Sequence, residues 1–156
     1  MAVADLPQVM EIAASLSTAP QWKLSDYVNA LNPESTPHRI ALVIVLTAAA
    51  PGPDQVQGFA IASLLPPQAE LETVAVGASG GLPGLGQRQG FGQRLFRALV
   101  GELRTTGACE ILLEVRASNE QAIAFYRSLG FAETARRPRY YTDPIEDAIL
   151  MSSRIR

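Results

Sequence analysis

A glycine-rich run in the middle of the chain separates two stretches with different patterns of apolar residues. Residues 77–86 include five glycines in ten positions, and we expect a mobile loop there because glycine loses the most backbone freedom on ordering. Before the run, apolar and partly β-branched segments at 40–47, 56–65 and 70–76 are separated by proline-containing turns. This pattern is typical of a three-stranded antiparallel meander.

After the run, helical and strand patterns alternate. Apolar residues at helical spacing predict a long helix from Phe91 to Leu103, and the apolar segment 110–115 predicts a buried strand. Residues 118–121 match a capping box that opens a second helix. Further strands are predicted at 131–137 and 147–155, joined by residues 140–144.

Two short helices are predicted ahead of the first strand. Asp5 is expected to cap a helix that continues to Leu16, with Pro7 in its first turn. A second helix is expected from Ser25 to just before Pro33. Because each crossover helix must cover a face of the sheet, the whole order predicts an α/β sandwich with a mixed sheet.

The size and charge of the chain narrow its class. Its 156 residues, 47% hydrophobic and 18% charged, suit one domain over residues 1–156. A formal charge of -2 argues against a nucleic-acid partner, because such binding depends mainly on cations that neutralise phosphates. The N-terminus lacks a basic segment followed by an apolar run, and no apolar stretch approaches membrane-spanning length. We therefore expect a soluble, cytoplasmic protein without a membrane partner.

A single cysteine, Cys109, and a single histidine, His38, leave few options for metal or nucleophilic chemistry. A zinc cage and a Cys-His couple both need more partners than these, so no metal is expected. Cys109 has no basic neighbour in sequence and is expected to be a small core residue rather than a nucleophile. His38 is expected to be exposed in a loop.

The turn before the long helix has the features of an anion-binding site. Backbone N–H groups at a helix start are unpaired, the helix dipole favours negative charge there, and glycine lets a ligand approach closely. A glycine-rich helix start without a ligand explains the pattern equally well, because neither the P-loop lysine nor the spacing Gly-x-Gly-x-x-Gly is present. The predicted phosphate-binding residues are Gln87, Arg88, Gln89, Gly90, Phe91, Gly92 and Gln93.

The spacing Gln87-x-x-Gly90-x-Gly92 resembles the Arg/Gln-x-x-Gly-x-Gly/Ala signature of the GNAT acetyltransferase superfamily, in which successive amides bind the coenzyme A pyrophosphate. Four further segments resemble the RimI type of that superfamily, which acetylates the N-terminal alanine of a small-subunit ribosomal protein. They are LEVRASN at 113–119, AFYRSLGF at 124–131, RRPRYY at 136–141 and EDAILM at 146–151. The likeness extends over roughly residues 56–152.

The resemblance implies a GNAT fold of the α/β (α+β) class, with a mixed, mostly antiparallel central sheet of about six to seven strands flanked by about four helices. It also implies an acetyl-coenzyme A dependent N-acetyltransferase, acting as a monomer or homodimer. The implied acceptor is a protein N-terminus. A small amine or amino acid as acceptor, or a non-catalytic coenzyme A-binding module, stays open. The loop at 77–86 is several residues longer than the usual link in the family, which would weaken cofactor binding or gate the acceptor side.

Glu114 is the first candidate for a general base. It lies inside the apolar segment 111–115, where lost hydration would raise the pKa of a carboxylate toward neutrality. An exposed or ion-paired strand residue, for example with Arg116, is the alternative from the residues alone. The resemblance implies that the glutamate at this position is the base and that the amine attacks directly.

Tyr126 shares a helical face with apolar residues and would by default pack in the core. By its position in the resemblance, Tyr126 contacts the cofactor and is the general acid that hydrogen-bonds to, or protonates, the coenzyme A thiolate. Asn119 would by default start its helix, and the resemblance implies a cofactor contact. Backbone groups of Val74, Ala75 and Val76 match the strand that pairs with the pantetheine arm and polarises the thioester carbonyl.

Glu72 is a rival base, because it alternates onto the same strand face as Val74 and Val76 and many GNAT enzymes place a catalytic acid on this strand. Members of the RimI type often carry asparagine there.

Arg139, Tyr140 and Tyr141 are candidates for substrate binding. Charge and ring stacking would let them line a peptide groove. An ordinary polar hairpin explains the same residues equally well.

Overall fold

Six strands form one mixed sheet covered by four helices within residues 1–16, 21–47, 54–77 and 90–155, the part of the chain that this computed structural model describes. The helices are α1 (Leu6–Ala14), α2 (Leu24–Ala30), α3 (Phe91–Thr105) and α4 (Glu120–Ser128), and a 3-10 turn at Val3–Asp5 precedes α1. The strands are β1 (Arg39–Leu46), β2 (Gln55–Leu65), β3 (Gln68–Val76), β4 (Glu110–Arg116), β5 (Ala132–Thr142) and β6 (Ile145–Arg154). The predicted α/β class is confirmed.

The strands lie in the order β1-β2-β3-β4-β6-β5. The first three form the predicted antiparallel meander. The crossover through α3 then places β4 parallel to β3. β6 pairs antiparallel with both β4 and β5. The parallel pairing therefore lies in the middle of the sheet.

Each face of the sheet has its own apolar core. α3 and α4 cover the first core, where Leu99 packs near Ile111 of β4. α1 and α2 cover the second core, where Val9 and Tyr27 pack near Phe59 of β2. Burial of one such side chain stabilises the folded state by about 1.5–3 kcal/mol. Because each core contains many of them, the two cores hold the sheet between two layers of helices.

The two central strands separate toward their C-terminal ends. β3 and β4 pair at Gln68↔Glu110, Ala69↔Ile111 and Glu70↔Leu112. Beyond these pairs, β3 continues to Val76 and β4 to Arg116, and each stays paired with its outer neighbour. The result is a V-shaped cleft between two strand edges whose backbone groups do not bond to each other.

A β-bulge interrupts β3 on the side of β2. The register passes from Ile61↔Thr73 to Ala62↔Leu71, so Glu72 has no partner residue on β2. A bulge inserts one residue into one strand and so reverses the alternation of faces beyond it.

The bulge places Glu72 on the opposite face from the residues that follow it. Val74 and Val76 pack against the first core. The Glu72 carboxylate instead binds the guanidinium of Arg39, which lies over the ring of Trp22 against the second core. The prediction that Glu72 shares a face with Val74 and Val76 is therefore wrong.

The helix starts differ from their predictions in detail. The Asp5 side chain does not cap α1; its Oδ2 accepts a hydrogen bond from the Ala2 N–H at 2.7 Å. The cap of α4 is Asn119, whose Oδ1 accepts a hydrogen bond from the Ala122 N–H at 3.1 Å. The predicted capping box with Ser118 is wrong because the Ser118 N–H donates to a carboxylate of β6.

The final hairpin is longer than predicted. Tyr140 and Tyr141 lie within β5, and the turn consists of Asp143 and Pro144. The predicted strand ended at Arg137, directly before Pro138, a residue that cannot donate to a ladder. The structure accommodates Pro138 where the β5–β6 register is irregular.

No helix in the four described stretches is long and apolar enough to cross a membrane. In the same stretches, no group of three or more histidine, cysteine or acidic residues is arranged to hold a metal ion.

Candidate active site

The open end of the cleft is where α3, α4 and β3 meet. A methyl group on Gly92 would lie 3.1 Å from Phe125 Cζ and 3.7 Å from Val76 Cγ2. The start of α3 is therefore in contact with α4 and with the end of β3. Glycine at position 92 allows this close approach.

The start of α3 presents backbone amides to its surroundings. Gly90 is the N-cap and has a left-handed backbone with φ of 72°, which favours glycine. The first helical hydrogen bond runs from the Arg94 N–H to the Gly90 carbonyl at 3.0 Å, so the amides of Phe91, Gly92 and Gln93 precede the helical ladder. Among the described residues, no heavy atom comes within 4 Å of the space beside Gly90 Cα where a side chain would begin. These features fit an anionic group.

Four predicted residues of this turn lie at the helix start, and three are not among the described residues. The Phe91 side chain is buried, so only its backbone can face a ligand. Gln87, Arg88 and Gln89 lie outside the described residues, as do residues 78–86 of the glycine-rich run.

The edge of β3 that faces the cleft carries the predicted pantetheine-binding residues. Val74, Ala75 and Val76 follow the last residue pair between β3 and β4. On their other side, they remain paired with β2. Their position fits an extended arm that bonds to a strand edge.

Glu114 lies on β4 and is held by two side chains of β5. Its Oε1 forms an ion pair with Nη1 of Arg137, and the Tyr140 hydroxyl is hydrogen-bonded to its carboxylate. Its side chain is 22% exposed, so the carboxylate is open to solvent on one side. The alternative partner considered from sequence, Arg116, instead pairs with Glu146 at 3.3 Å.

Tyr140 responds to the charge of Glu114. The hydrogen bond to Glu114 raises the pKa of Tyr140, and the negative charge of that carboxylate raises it further. The Arg137 guanidinium lies 5.4 Å above the Tyr140 ring and opposes the shift. Glu114, Arg137 and Tyr140 therefore form one connected group.

Glu70 was missed by sequence reasoning and belongs to the same face of the sheet. Burial raises the pKa of Glu70, and the nearby charges of Glu114 and Glu72 raise it further, while Arg137 opposes them. The carboxylates of Glu114 and Glu72 thus both lie close enough to repel that of Glu70. The spacing of Glu70 and Glu72, two residues apart on one strand, was the signal that could have revealed it.

Glu72 is already engaged by a cation. The Arg39 Nε donates to its two carboxylate oxygens at 2.8 and 3.1 Å, and both side chains are mostly buried, with 18% and 16% exposed. As a base, Glu72 would have to give up this pair.

Tyr126 lies on α4 between two other rings, with ring centroids 5.6 Å from Phe125 and 5.7 Å from Phe131. Burial raises the pKa of Tyr126 to about 12, with a smaller contribution from Tyr141. The pKa of Tyr141 is in turn raised by burial and by the charge of Glu114.

The three predicted substrate-binding residues take different places. The Tyr140 and Tyr141 rings are in edge-to-face contact at 5.2 Å, and the Arg116 guanidinium lies 4.1 Å above the Tyr141 ring. Arg139 has a left-handed backbone with φ of 53°, and its N–H donates to Asp147 Oδ1 at 2.9 Å.

The remaining predicted residues have other surroundings. Asn119 Oδ1 acts as the cap of α4, and its cofactor contact stays a prediction. Cys109 is exposed, so the prediction of a core residue is wrong. It precedes β4 at the paired end of the β3–β4 seam, away from the open end. His38 is exposed as expected.

Comparison with known proteins places this geometry in context. A family model described as the acetyltransferase (GNAT) family matches residues 7–131. The Escherichia coli (strain K12) protein named ribosomal protein bS18-alanine N-acetyltransferase is 45% identical over 96 residues, which cover 60% of this chain and 61% of that relative. The match therefore spans less than two thirds of the relative's length. A Bacillus subtilis (strain 168) relative is 30% identical over 151 residues, covering 97% of this chain and 90% of the relative.

A solved structure shows the same fold. The crystal structure of the ribosomal-protein-S18-alanine N-acetyltransferase from Escherichia coli has a TM-score of 0.74 to this chain at 34% identity, covering 99% of this chain and 90% of that one. The likeness confirms the predicted mixed, mostly antiparallel sheet flanked by four helices.

Proposed function

Because this chain belongs to the acetyltransferase (GNAT) family, we propose that it transfers the acetyl group of acetyl-coenzyme A to a primary amine. The proposed acceptor is the N-terminal α-amine of a ribosomal protein that begins with alanine. The observation that supports this most directly is the cleft between β3 and β4. Backbone amides that precede the helical ladder of α3 lie at its mouth, and the Glu114 carboxylate lies on one of its two strands.

The cofactor fits the cleft in two parts. The amides of Gly90, Phe91, Gly92 and Gln93 are placed to bind the pyrophosphate, together with the predicted side chains of Gln87, Arg88 and Gln89. The edge of β3 at Val74, Ala75 and Val76 is proposed to bond with the pantetheine arm, because these residues follow the last pair between β3 and β4. Acetyl-coenzyme A then supplies a thioester carbonyl beside that strand edge, where a backbone N–H can stabilise the oxyanion that forms during attack.

Glu114 is the proposed base. An α-amine has a reference pKa of about 8, so most of it carries a proton that must be removed near neutral pH. The carboxylates of Glu70, Glu72 and Glu114 on one face attract the ammonium form, and Glu114 accepts the proton directly or through water. Glu72 is not the proposed base, because Arg39 occupies both of its carboxylate oxygens and offsets its charge.

Tyr126 is proposed to stabilise the departing thiolate. The amine nitrogen bonds to the thioester carbon and loses its second proton to solvent, the tetrahedral intermediate collapses, and the carbon–sulfur bond breaks with its electron pair on sulfur. The Tyr126 hydroxyl donates a hydrogen bond to this sulfur. No acyl-cysteine is needed, because Cys109 precedes the paired end of β4.

The experiment that tests this function compares acceptors with purified protein and acetyl-coenzyme A. We expect acetylation of a peptide with N-terminal alanine at a kcat/KM well above that of a panel of free amino acids and small amines. Mass spectrometry of protein N-termini from cells with and without the protein then identifies the natural acceptor. Preference for a small amine would refute the peptide acceptor, and tight cofactor binding without any turnover would refute the catalytic assignment.

A further inference from the structure

The shape of β5 near Glu114 depends on an irregular segment, here named the β5 bulge (residues 138–140). The β5–β6 register passes from Arg137↔Ala148 to Tyr141↔Glu146. Three residues of β5 thus face the single residue between Glu146 and Ala148 on β6. Two side chains of β5 contact Glu114. Arg137 directly precedes the β5 bulge, and Tyr140 is its last residue.

The β5 bulge contains a strained residue. Arg139 has φ of 53°, a conformation that costs a residue other than glycine about 1–2 kcal/mol. Such strain persists only where neighbouring groups hold it, and it is common at functional sites. Arg139 therefore needs an anchor.

Asp147 is that anchor. Its Oδ1 accepts the Arg139 N–H at 2.9 Å, and its Oδ2 lies 3.8 Å from Arg136 Nη1. Its backbone carbonyl accepts the Ala117 N–H at 3.0 Å, directly after β4. One residue thus ties the β5 bulge to the end of the strand that carries Glu114.

Loss of the β5 bulge would redirect its side chains. The segment has two residues more than β6 has opposite it, so its loss would shift the register of β5 by two residues and move its side chains along the strand. Tyr140 would then leave Glu114, and the Arg137 guanidinium would lose the ring beneath it.

We propose that Asp147 is a positioning residue, whose carboxylate holds the left-handed Arg139 and so keeps Tyr140 and Arg137 on the Glu114 carboxylate. The role of Asp147 in turnover rests on the proposed function, in which Glu114 is the base. Its role in shaping the contact between Tyr140 and Glu114 does not.

The first measurement follows Tyr140 without any assay of turnover. The chain has four tyrosines, so Cζ-labelled tyrosine gives four NMR signals, and Tyr140→Phe assigns the one of interest. In the parent protein, Tyr140 should titrate above an ordinary tyrosine because of its bond to Glu114. In Asp147→Ala, its titration should return toward about 10, the ordinary value. An unchanged titration would overturn the proposal.

A second pair of variants separates the anchor from general destabilisation. Asp147→Asn keeps an oxygen acceptor for the Arg139 N–H and should titrate like the parent. Asp147→Ala combined with Arg139→Gly should recover the parent titration, because glycine adopts a left-handed backbone without an anchor. If Asp147→Ala alone fails to fold, the double variant is the test. A Tyr140 pKa near the ordinary tyrosine value in the double variant would overturn the claim that Asp147 acts by holding the backbone of Arg139.

Kinetics extends the test to turnover. Asp147→Ala should lower kcat about tenfold and leave the KM for acetyl-coenzyme A unchanged. The reason is that Glu114, the proposed base, would be displaced, and a displacement of about 1 Å can lower the rate up to about 100-fold. Glu133→Gln, which breaks the exposed ion pair between Glu133 of β5 and Arg127 of α4, is the matched control and should leave kcat unchanged. Absence of turnover in the parent with every acceptor would refute the proposed function, while the Tyr140 titration would still decide the role of Asp147.

Discussion

Tyr126 has a strongly raised pKa in the proposed site. Its pKa of about 12 lies well above that of an ordinary thiol, near 8.5. Full transfer of its proton to a coenzyme A thiolate is therefore unfavourable by about three to four pH units. Tyr126 is better suited to donate a hydrogen bond to the developing charge on sulfur than to protonate it.

Replacement of Tyr126 by phenylalanine should lower kcat about 10- to 100-fold, because a hydrogen bond to a charged group contributes about 1.5–3 kcal/mol. Affinity for acetyl-coenzyme A, measured by calorimetry, should stay within about twofold, since the thioester sulfur is uncharged before attack. The hydroxyl keeps its proton below its raised pKa, so Tyr126 itself should cause no alkaline fall in kcat up to about pH 11. An unaltered kcat in Tyr126→Phe would remove Tyr126 from the mechanism.

Glu70 gives a prediction about how the stability of the folded chain depends on pH. Its pKa is raised in the folded chain by burial and by the charges of Glu114 and Glu72, so the folded state holds its proton more tightly than the unfolded state does. Stability from this group is therefore full below the unfolded pKa and is lost as pH rises through the folded value.

Glu70→Gln should raise Tm at pH 7 by about 1–2 °C, a small effect because solvent screens the repulsion. The gain should disappear below about pH 4, where both states are protonated. Calorimetric melting at the two pH values checks this, with Glu133→Gln as a control outside the cluster. A gain that is equal at both pH values would contradict a role for charge repulsion.

At the scale of elements, α3 offers two glycines with opposite surroundings. Gly92 faces Phe125, whose Cζ and Cε2 would lie 3.1 and 3.3 Å from an added methyl group, whereas Gly101 has nothing within 4 Å among the described residues. Replacement of glycine by alanine therefore tests the contact with α4 at position 92. At position 101 the same replacement tests helix propensity alone.

Gly101→Ala should stabilise the protein by about 0.5–1 kcal/mol, because alanine loses less backbone entropy in a helix. Gly92→Ala should lose that gain, since the Phe125 ring must move by a few tenths of an ångström to admit the methyl group. Its affinity for acetyl-coenzyme A should also fall several-fold. Phe125→Leu in the Gly92→Ala background should restore stability; failure of this rescue would show that another contact makes glycine necessary.

At the scale of the whole molecule, ligand binding should be visible along the seam between β3 and β4. Acetyl-coenzyme A is expected to slow hydrogen exchange at the amides of Phe91, Gly92 and Gln93 and along the C-terminal half of β3, because these groups precede the helical ladder or follow the last β3–β4 pair. The amides of β1 should serve as an internal reference. Uniform protection across all strands would indicate general stabilisation rather than binding in the cleft.

Much of this molecule follows from its pattern of apolar residues. The meander, the long helix α3 and the buried strand β4 were predictable because each has a period that its burial requires. The left-handed turn at Gly90 was predictable because few residues other than glycine adopt that backbone. Bulges were not predictable, since one inserted residue leaves the apolar pattern nearly unchanged.

The site was predictable only in part for the same reason. Glu72 was assigned to the wrong face because the bulge in β3 reverses the alternation. The pairing of Glu114 with Arg137 depends on the irregular register between β5 and β6, which brings together residues 23 positions apart. Arg116, the neighbour closer in sequence, is held by Glu146 instead.

The short pairing between β3 and β4 also has a mechanical consequence. The β1–β3 half-sheet and the β4–β6 half-sheet meet along a seam of three residue pairs. A molecule that fills the gap and bonds to one exposed edge acts as a brace between the two halves. Occupancy of the cleft and the stiffness of the whole protein are therefore coupled, and the empty and filled proteins should differ most in how easily the two halves rock against each other.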